Sequence, residues 1–163
     1  DLPAGENVCA AITFRDRWQG TVSSCLADDS GDFVVHRKDG LFAYALAVVV
    51  DDIDQGVTEV VRGSDMLEAT ARQIFLTRLL GATPPRYAHV PVLLVSDGQK
   101  LSKQNRASPV DPSRPAANVW QALQQLGQMP LPALATTTPA TVLAWAVSHW
   151  QPERIPRRAS LPG

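Results

Sequence analysis

Between Phe33 and Val95 the chain alternates strand-like and helix-like stretches, and this order constrains the fold more than any other feature. Phe33-Val34-Val35-His36 is a β-rich run ended by the turn signal Asp39-Gly40. Ala43, Leu46, Ala47, Val50 and Ile53 mark one face of a helix that Gly56 stops, although Val48-Val49-Val50 taken alone favours a strand. Thr58 to Val61 reads as a short buried strand whose C-terminal end delivers Arg62 into a crevice. Thr70 and Gln73 have capping-box spacing ahead of an apolar stripe of Ile74, Phe75 and Leu79, which Gly81 closes. Tyr87 to Val95 is the next strand, restricted at Pro91. Upstream, Val8 to Phe14 is strand-like and leads to Trp18-Gln19-Gly20, with a polar loop from Ala27 to Gly31 before the Phe33 run. The pattern predicts an α/β domain with a substantially parallel sheet.

After Asn105 the composition changes. Pro109, Pro112 and Pro115 form a linker, followed by two amphipathic helices. The first carries Val119, Trp120, Leu123 and Leu126 ahead of Gly127; the second carries Val142, Leu143, Ala146, Val147 and Trp150 behind a Thr138 cap and Pro139. Trp120, Trp145 and Trp150 fall on the helix stripes and are expected in the core. Residues Pro152 to Gly163 are expected to be extended or disordered, and Arg154, Arg157 and Arg158 there fit either a phosphate contact or a solvated tail. The division expected is 1–106 and 107–163.

The bulk numbers exclude several classes. At 163 residues, 45% hydrophobic and 19% charged, the chain can bury a core, which argues against collagen, coiled coil and wholesale disorder. A net charge of −1 gives no global reason to bind nucleic acid, so RNA contacts would come from local clusters. Cys9 and Cys25 have no zinc-like spacing and are expected to be reduced, in a cytoplasmic protein. No apolar stretch is long enough to span a bilayer. The chain starts at Asp1 without Met, on a loop-like stretch, so a missing N-terminal part is expected.

The run Gly98-Gln99-Lys100-Leu101-Ser102-Lys103-Gln104-Asn105 places two lysines and a hydroxyl on a glycine-started loop directly after a strand. When a carboxylate attacks the α-phosphorus of ATP, negative charge grows on phosphorus and on the departing pyrophosphate, and a positioned ammonium stabilises it selectively. Lys-x-x-Lys alone is a weak signal and reads first as a solvated surface loop. It does not stand alone, however: DGLFAYALAVVVDDIDQGVTEVVRGSDM, then YAHVPVLL, then GQKLSKQN follow in order.

From about Phe14 to Asn105 these motifs resemble the second half of the catalytic domain of class I glutamyl-tRNA synthetases and their short paralogues. KLSK is the form that the KMSKS signature loop takes there. Its continuation as KLSKQN, the runs HRKDGLFAY and LAVVVDD, and the short stretch after Arg106 are similar to the glutamyl-queuosine branch of the family. The resemblance implies a Rossmann-type domain followed by a short helical region. It also implies a ligase that uses ATP to make glutamyl-adenylate without tRNA, then transfers glutamate to queuosine at the wobble position of tRNA(Asp). Magnesium is expected with ATP, zinc only in the missing N-terminal part, and the protein is expected to be a monomer. Tyr44 and Arg62 match positions that hold glutamate; Lys103 matches the signature-loop lysine that contacts ATP, with Lys100 and Ser102 in support.

The residues themselves leave other readings open. Tyr44 could be a core tyrosine and Arg62 half of a surface ion pair. Asp51, Asp52 and Asp54 fit either a magnesium site or a polar turn, while His36 and His89 read as packed or hydrogen-bonded side chains. No HxGH-like string occurs in the chain, so a non-catalytic half-domain that binds tRNA or nucleotide, or a piece of a glutamyl-tRNA synthetase, are the alternatives.

Overall fold

The computed structural model describes residues 11–94, 100–101 and 109–162. Two compact units divide the chain, Asp1–His89 and Val90–Gly163. The boundary expected near Arg106 lies outside the described residues.

The first unit is built on a four-stranded sheet of order β2-β1-β4-β3. Strands β1 (Ala11–Asp16) and β2 (Gly20–Cys25) form an antiparallel hairpin, Gly20 taking a φ of 82° at its turn. β4 (Arg86–Val90) runs parallel to β1, with Asp16 opposite Tyr87, and β3 (Glu59–Gly63) is an edge strand. The sheet is therefore mixed. β2 went unread in the sequence because TVSSC carries one large apolar side chain and little alternation. Conversely, Phe33–His36 is no strand: its one pairing is an antiparallel bridge from His36 to Phe42 around the Asp39-Gly40 turn. Val34 is 63% exposed, having no sheet neighbour to cover it.

Between these strands lie α1 (Leu26–Asp29), α2 (Tyr44–Asp54) and α3 (Leu67–Leu79). The helical reading of the Ala43–Ile53 stripe is borne out, and Gly56 (φ 65°) follows its end. Ile12, Leu26, Ala71, Ile74 and Tyr87 form the core, with Phe14, Val60 and Phe75 against it. Burying a side chain such as Ile74 stabilises by about 1.5–3 kcal/mol. β3 is not buried on both faces: Val61 is exposed while Val60 packs inward, as alternation on an edge strand requires. Cys25 is disulfide-bonded rather than reduced. A hairpin sets distant positions side by side, which linear spacing does not show; the bonding partner lies outside the described residues.

In the second unit Pro91 splits the expected Tyr87–Val95 strand, and β5 (Val92–Leu94) joins a different sheet. Its partner is β6 (Ser160–Pro162), running parallel, so the tail is extended and paired. Helices α4 (Pro115–Gln125) and α5 (Pro139–His149) pack through Ala116, Leu123, Val142 and Ala146, with Trp120 and Trp145 against them. Thr138 caps α5 by accepting the Thr141 N–H, as expected. Trp150 is 42% exposed and lies beyond the end of α5, off the stripe assigned to it. Among the described residues no helix is long and apolar enough to cross a membrane.

Candidate functional site

Arg62 sits near the C-terminal end of β3 on the inward face it shares with Val60. Its Nε donates to His89 Nε2 at 3.0 Å. Its Nη2 donates to Gln73 Oε1 at 2.7 Å, to Thr70 Oγ1 at 2.9 Å and to the Met66 carbonyl at 3.4 Å. The guanidinium carbon also lies 5.6 Å from the centroid of the Tyr87 ring. Nη1 takes part in none of these bonds, so an arginine fixed on one side keeps the Nη1 N–H groups as donors for a ligand. This is no surface ion pair.

His89 is fully buried on β4, its ring stacked 14° from the plane of Tyr87. Nδ1 faces Asp16 Oδ2 at 2.6 Å. Asp16 Oδ1 accepts the backbone N–H groups of Trp18 at 3.0 Å, Gln19 at 2.9 Å and His89 at 3.2 Å. Arginine can only donate, so His89 Nε2 must accept and its proton must sit on Nδ1, donating to Asp16. Burial pushes the His89 pKa down, and with the Arg62 charge outweighs the upward pull of Asp16. Burial pushes Asp16 up, but the Gln19 N–H, the His89 side chain and the other backbone donors outweigh it and leave the carboxyl low. The pair is thus a carboxylate beside a neutral imidazole. Burial raises the Tyr87 phenol to about 12, Asp52 adding to the rise and Arg62 opposing it.

Thr70 and Gln73 do not cap α3, which begins at Leu67. Both are buried inside the helix, on the face toward Arg62. Thr70 Oγ1 donates to the Met66 carbonyl at 3.0 Å, a back-bond to residue i−4 open to threonine within a helix, and accepts from Arg62. Gln73 Nε2 has no partner among the described residues, and the amide is turned to give its oxygen to Arg62. The spacing read as a cap is that of two neighbours on one helix face.

The other expected site residues are distributed differently. Tyr44 is the first residue of α2, 61% exposed, and its hydroxyl bonds to none of the described residues. Lys100, in the second unit, is exposed and bridges antiparallel to Leu94. Ser102 and Lys103 lie outside the described residues. Asp51, Asp52 and Asp54 occupy the last turns of α2, and among the described residues no group of three or more His, Cys, Asp or Glu could hold a metal ion. His36 is exposed with an edge-on contact to Phe42, whereas His89 is packed and hydrogen-bonded as read. Arg154, Arg157 and Arg158 are exposed. Asp16 was missed altogether, since nothing in its sequence neighbourhood marks it.

Residues 6–119 match the model of the family described as tRNA synthetases class I (E and Q), catalytic domain. The chain belongs to this class I synthetase family. It is similar to the glutamyl-Q tRNA(Asp) synthetase of Pseudomonas paraeruginosa (strain DSM 24068 / PA7), 50% identical over 91% of this chain and 51% of that protein. The corresponding protein of Methylococcus capsulatus (strain ATCC 33009 / NCIMB 11132 / Bath) is 48% identical over 99% of this chain and 56% of its own length. The chain thus spans about half the length of the curated relatives it matches. Among solved structures, a glutamate tRNA ligase from Elizabethkingia meningosepticum CCUG26117 superposes with a TM-score of 0.68 at 21% identity, covering 93% of this chain and 34% of that one. The glutamate-tRNA synthetase of Elizabethkingia anophelis gives 0.69 at 22%, covering 94% and 34%. The fold is accordingly that of the class I synthetases, a Rossmann-type α/β arrangement with C-terminal helices.

Proposed function

We propose that the protein carrying this chain is an ATP-dependent ligase that activates glutamate and transfers it to queuosine at the wobble position of tRNA(Asp). The observation that carries this reading is the Arg62 site, a guanidinium held by internal acceptors with Nη1 left over, in a chain half identical to glutamyl-Q tRNA(Asp) synthetases. Arg62 holds a carboxylate of glutamate, and the exposed Tyr44 hydroxyl bonds the same ligand. A glutamate carboxylate oxygen attacks the α-phosphorus of ATP, a P–O bond forms, pyrophosphate leaves, and no tRNA is needed. The glutamyl group then passes to queuosine and AMP leaves. Lys103 stabilises the charge that builds on the phosphates, with Lys100 and Ser102 beside it on the loop.

Magnesium would arrive on the ATP phosphates. Among the described residues no cluster of three or more His, Cys, Asp or Glu could hold it, and no step is assigned through the ion. Residues 1–106 belong to the catalytic half and 107–163 to an appended region, in a cytoplasmic monomer. Incorporation of labelled glutamate by the intact enzyme into tRNA(Asp), with and without queuosine, tests the reading. Labelling that requires queuosine is the expected result. Labelling of unmodified tRNA indicates a glutamyl-tRNA synthetase instead, and no pyrophosphate exchange with glutamate indicates a non-catalytic binding module.

A further inference from the structure

The Arg62 guanidinium is anchored by a buried series of groups that begins on another strand. Asp16 Oδ1 collects three backbone N–H groups, so only an oxygen can occupy that place, and Oδ2 is left to face His89 Nδ1. His89 in turn meets Arg62 through Nε2. We propose that Asp16 and His89 are positioning residues for the carboxylate site: Asp16 locks the imidazole proton on Nδ1, and the bare Nε2 so produced anchors Arg62 Nε and aims Nη1 at the ligand. This rests on the reading of Arg62 as the glutamate holder and adds what keeps that arginine competent.

Several groups make the tautomer decisive. The titratable or charged groups facing His89 are Asp16 from β1, Arg62 from β3, Asp65 from the turn after β3, and Tyr87 from its own strand. From α3 come Thr70, whose Oγ1 is 3.3 Å from Nε2, and Gln73, which reaches Arg62; neither titrates. A proton on Nε2 would set N–H against the Arg62 N–H, two donors with no acceptor between them. The buried amide of Gln73 gives Arg62 an oxygen while its own nitrogen meets no partner among the described residues, so a second group is committed to the same orientation.

Asp16→Asn in the intact enzyme is the discriminating variant. Its amide oxygen must stay where the three N–H groups converge, its NH2 then replaces Oδ2 and donates to Nδ1, and the imidazole proton moves to Nε2. Imidazole 15N NMR reads the tautomer, and pyrophosphate exchange at saturating ATP separates the glutamate KM from kcat. Wild type should show Nδ1–H at neutral pH. Asp16→Asn should show Nε2–H and a glutamate KM raised about tenfold, with kcat changed much less. His89→Gln, whose amide oxygen can stand where Nε2 stands, should bind glutamate better than His89→Leu. Wild type should show a rise in KM as pH falls through the His89 value, which lies below the ordinary 6.5, and His89→Gln should lack it. An Nε2–H tautomer in wild type, or wild-type KM in a folded Asp16→Asn variant, overturns the proposal. If Asp16→Asn does not fold, equal KM values for His89→Gln and His89→Leu overturn it instead. Wild-type KM in Arg62→Lys sinks the glutamate reading itself, whereas a raised KM there beside an unchanged KM in Asp16→Asn removes only the positioning role.

Discussion

Thr70 Oγ1 stands 2.9 Å from Arg62 Nη2 and 3.0 Å from the Met66 carbonyl oxygen, so one hydroxyl ties the end of β3 to the first turn of α3. Thr70→Val keeps the shape and removes the acceptor from a charged, part-buried donor. A loss of about 1.5–3 kcal/mol of stability is expected. Thr70→Ser keeps the hydroxyl and loses a methyl, about 1 kcal/mol. Urea unfolding of both variants gives the comparison, with Val expected below Ser; a Val variant as stable as wild type would show the hydroxyl to be idle.

Arg62→Lys keeps the charge but loses the fork. Lysine cannot bond His89, Gln73 and Thr70 and still present a directed donor to a carboxylate, as Nη1 does here. The glutamate KM in pyrophosphate exchange should rise tenfold or more, from the roughly 1.5–3 kcal/mol of one charged hydrogen bond.

Under the proposed function, Lys103→Ala should affect a different part of the reaction. An ammonium that serves developing charge changes the rate of adenylate formation far more than glutamate binding, with a loss of about 3–4 kcal/mol in the barrier. Single-turnover adenylate formation measures it, and a defect confined to glutamate affinity would contradict the assignment.

Acid should destabilise the first unit in two steps. His89 is held below its ordinary 6.5 in the folded state, so the unfolded chain takes up a proton first as pH falls; its contribution is complete above 6.5 and is lost on going down to the lower folded value. Asp16 is held below 3.8, so its contribution is complete above 3.8 and is lost as pH falls further. Each unit of depression corresponds to about 1.4 kcal/mol. Thermal melts from neutral to acid pH should show the upper step in wild type and not in His89→Gln.

Gly127 has a φ of 74°, and a Cβ there would stand 2.3 Å from the Arg154 carbonyl oxygen. Gly81 has a similar φ of 76° with open space around it. Gly81→Ala should therefore cost only the left-handed backbone term, about 1–2 kcal/mol. Gly127→Ala should cost more, because backbone must also move. Denaturation midpoints of the two variants decide it.

The helical face from Ala43 to Ile53, the Thr138 cap of α5 and the stops at Gly56, Gly81 and Gly127 were legible because each depends on residues within a turn or two of one another. So were the motifs that led to the class I family, since their order and spacing are properties of the string. The amino acids alone thus determined the fold class and named Arg62. What only the tertiary structure decided is how Arg62 is held: Asp16 and His89 lie 73 positions apart, Arg62 and His89 27 apart, and Thr70 and Gln73 look like a helix cap until β3 is laid against them. A buried hydrogen bond depends on distance and direction after folding, and a linear spacing carries neither. The same reason hid β2, the split at Pro91 and the β5–β6 pair, because a strand is completed by a neighbour that its own residues do not specify.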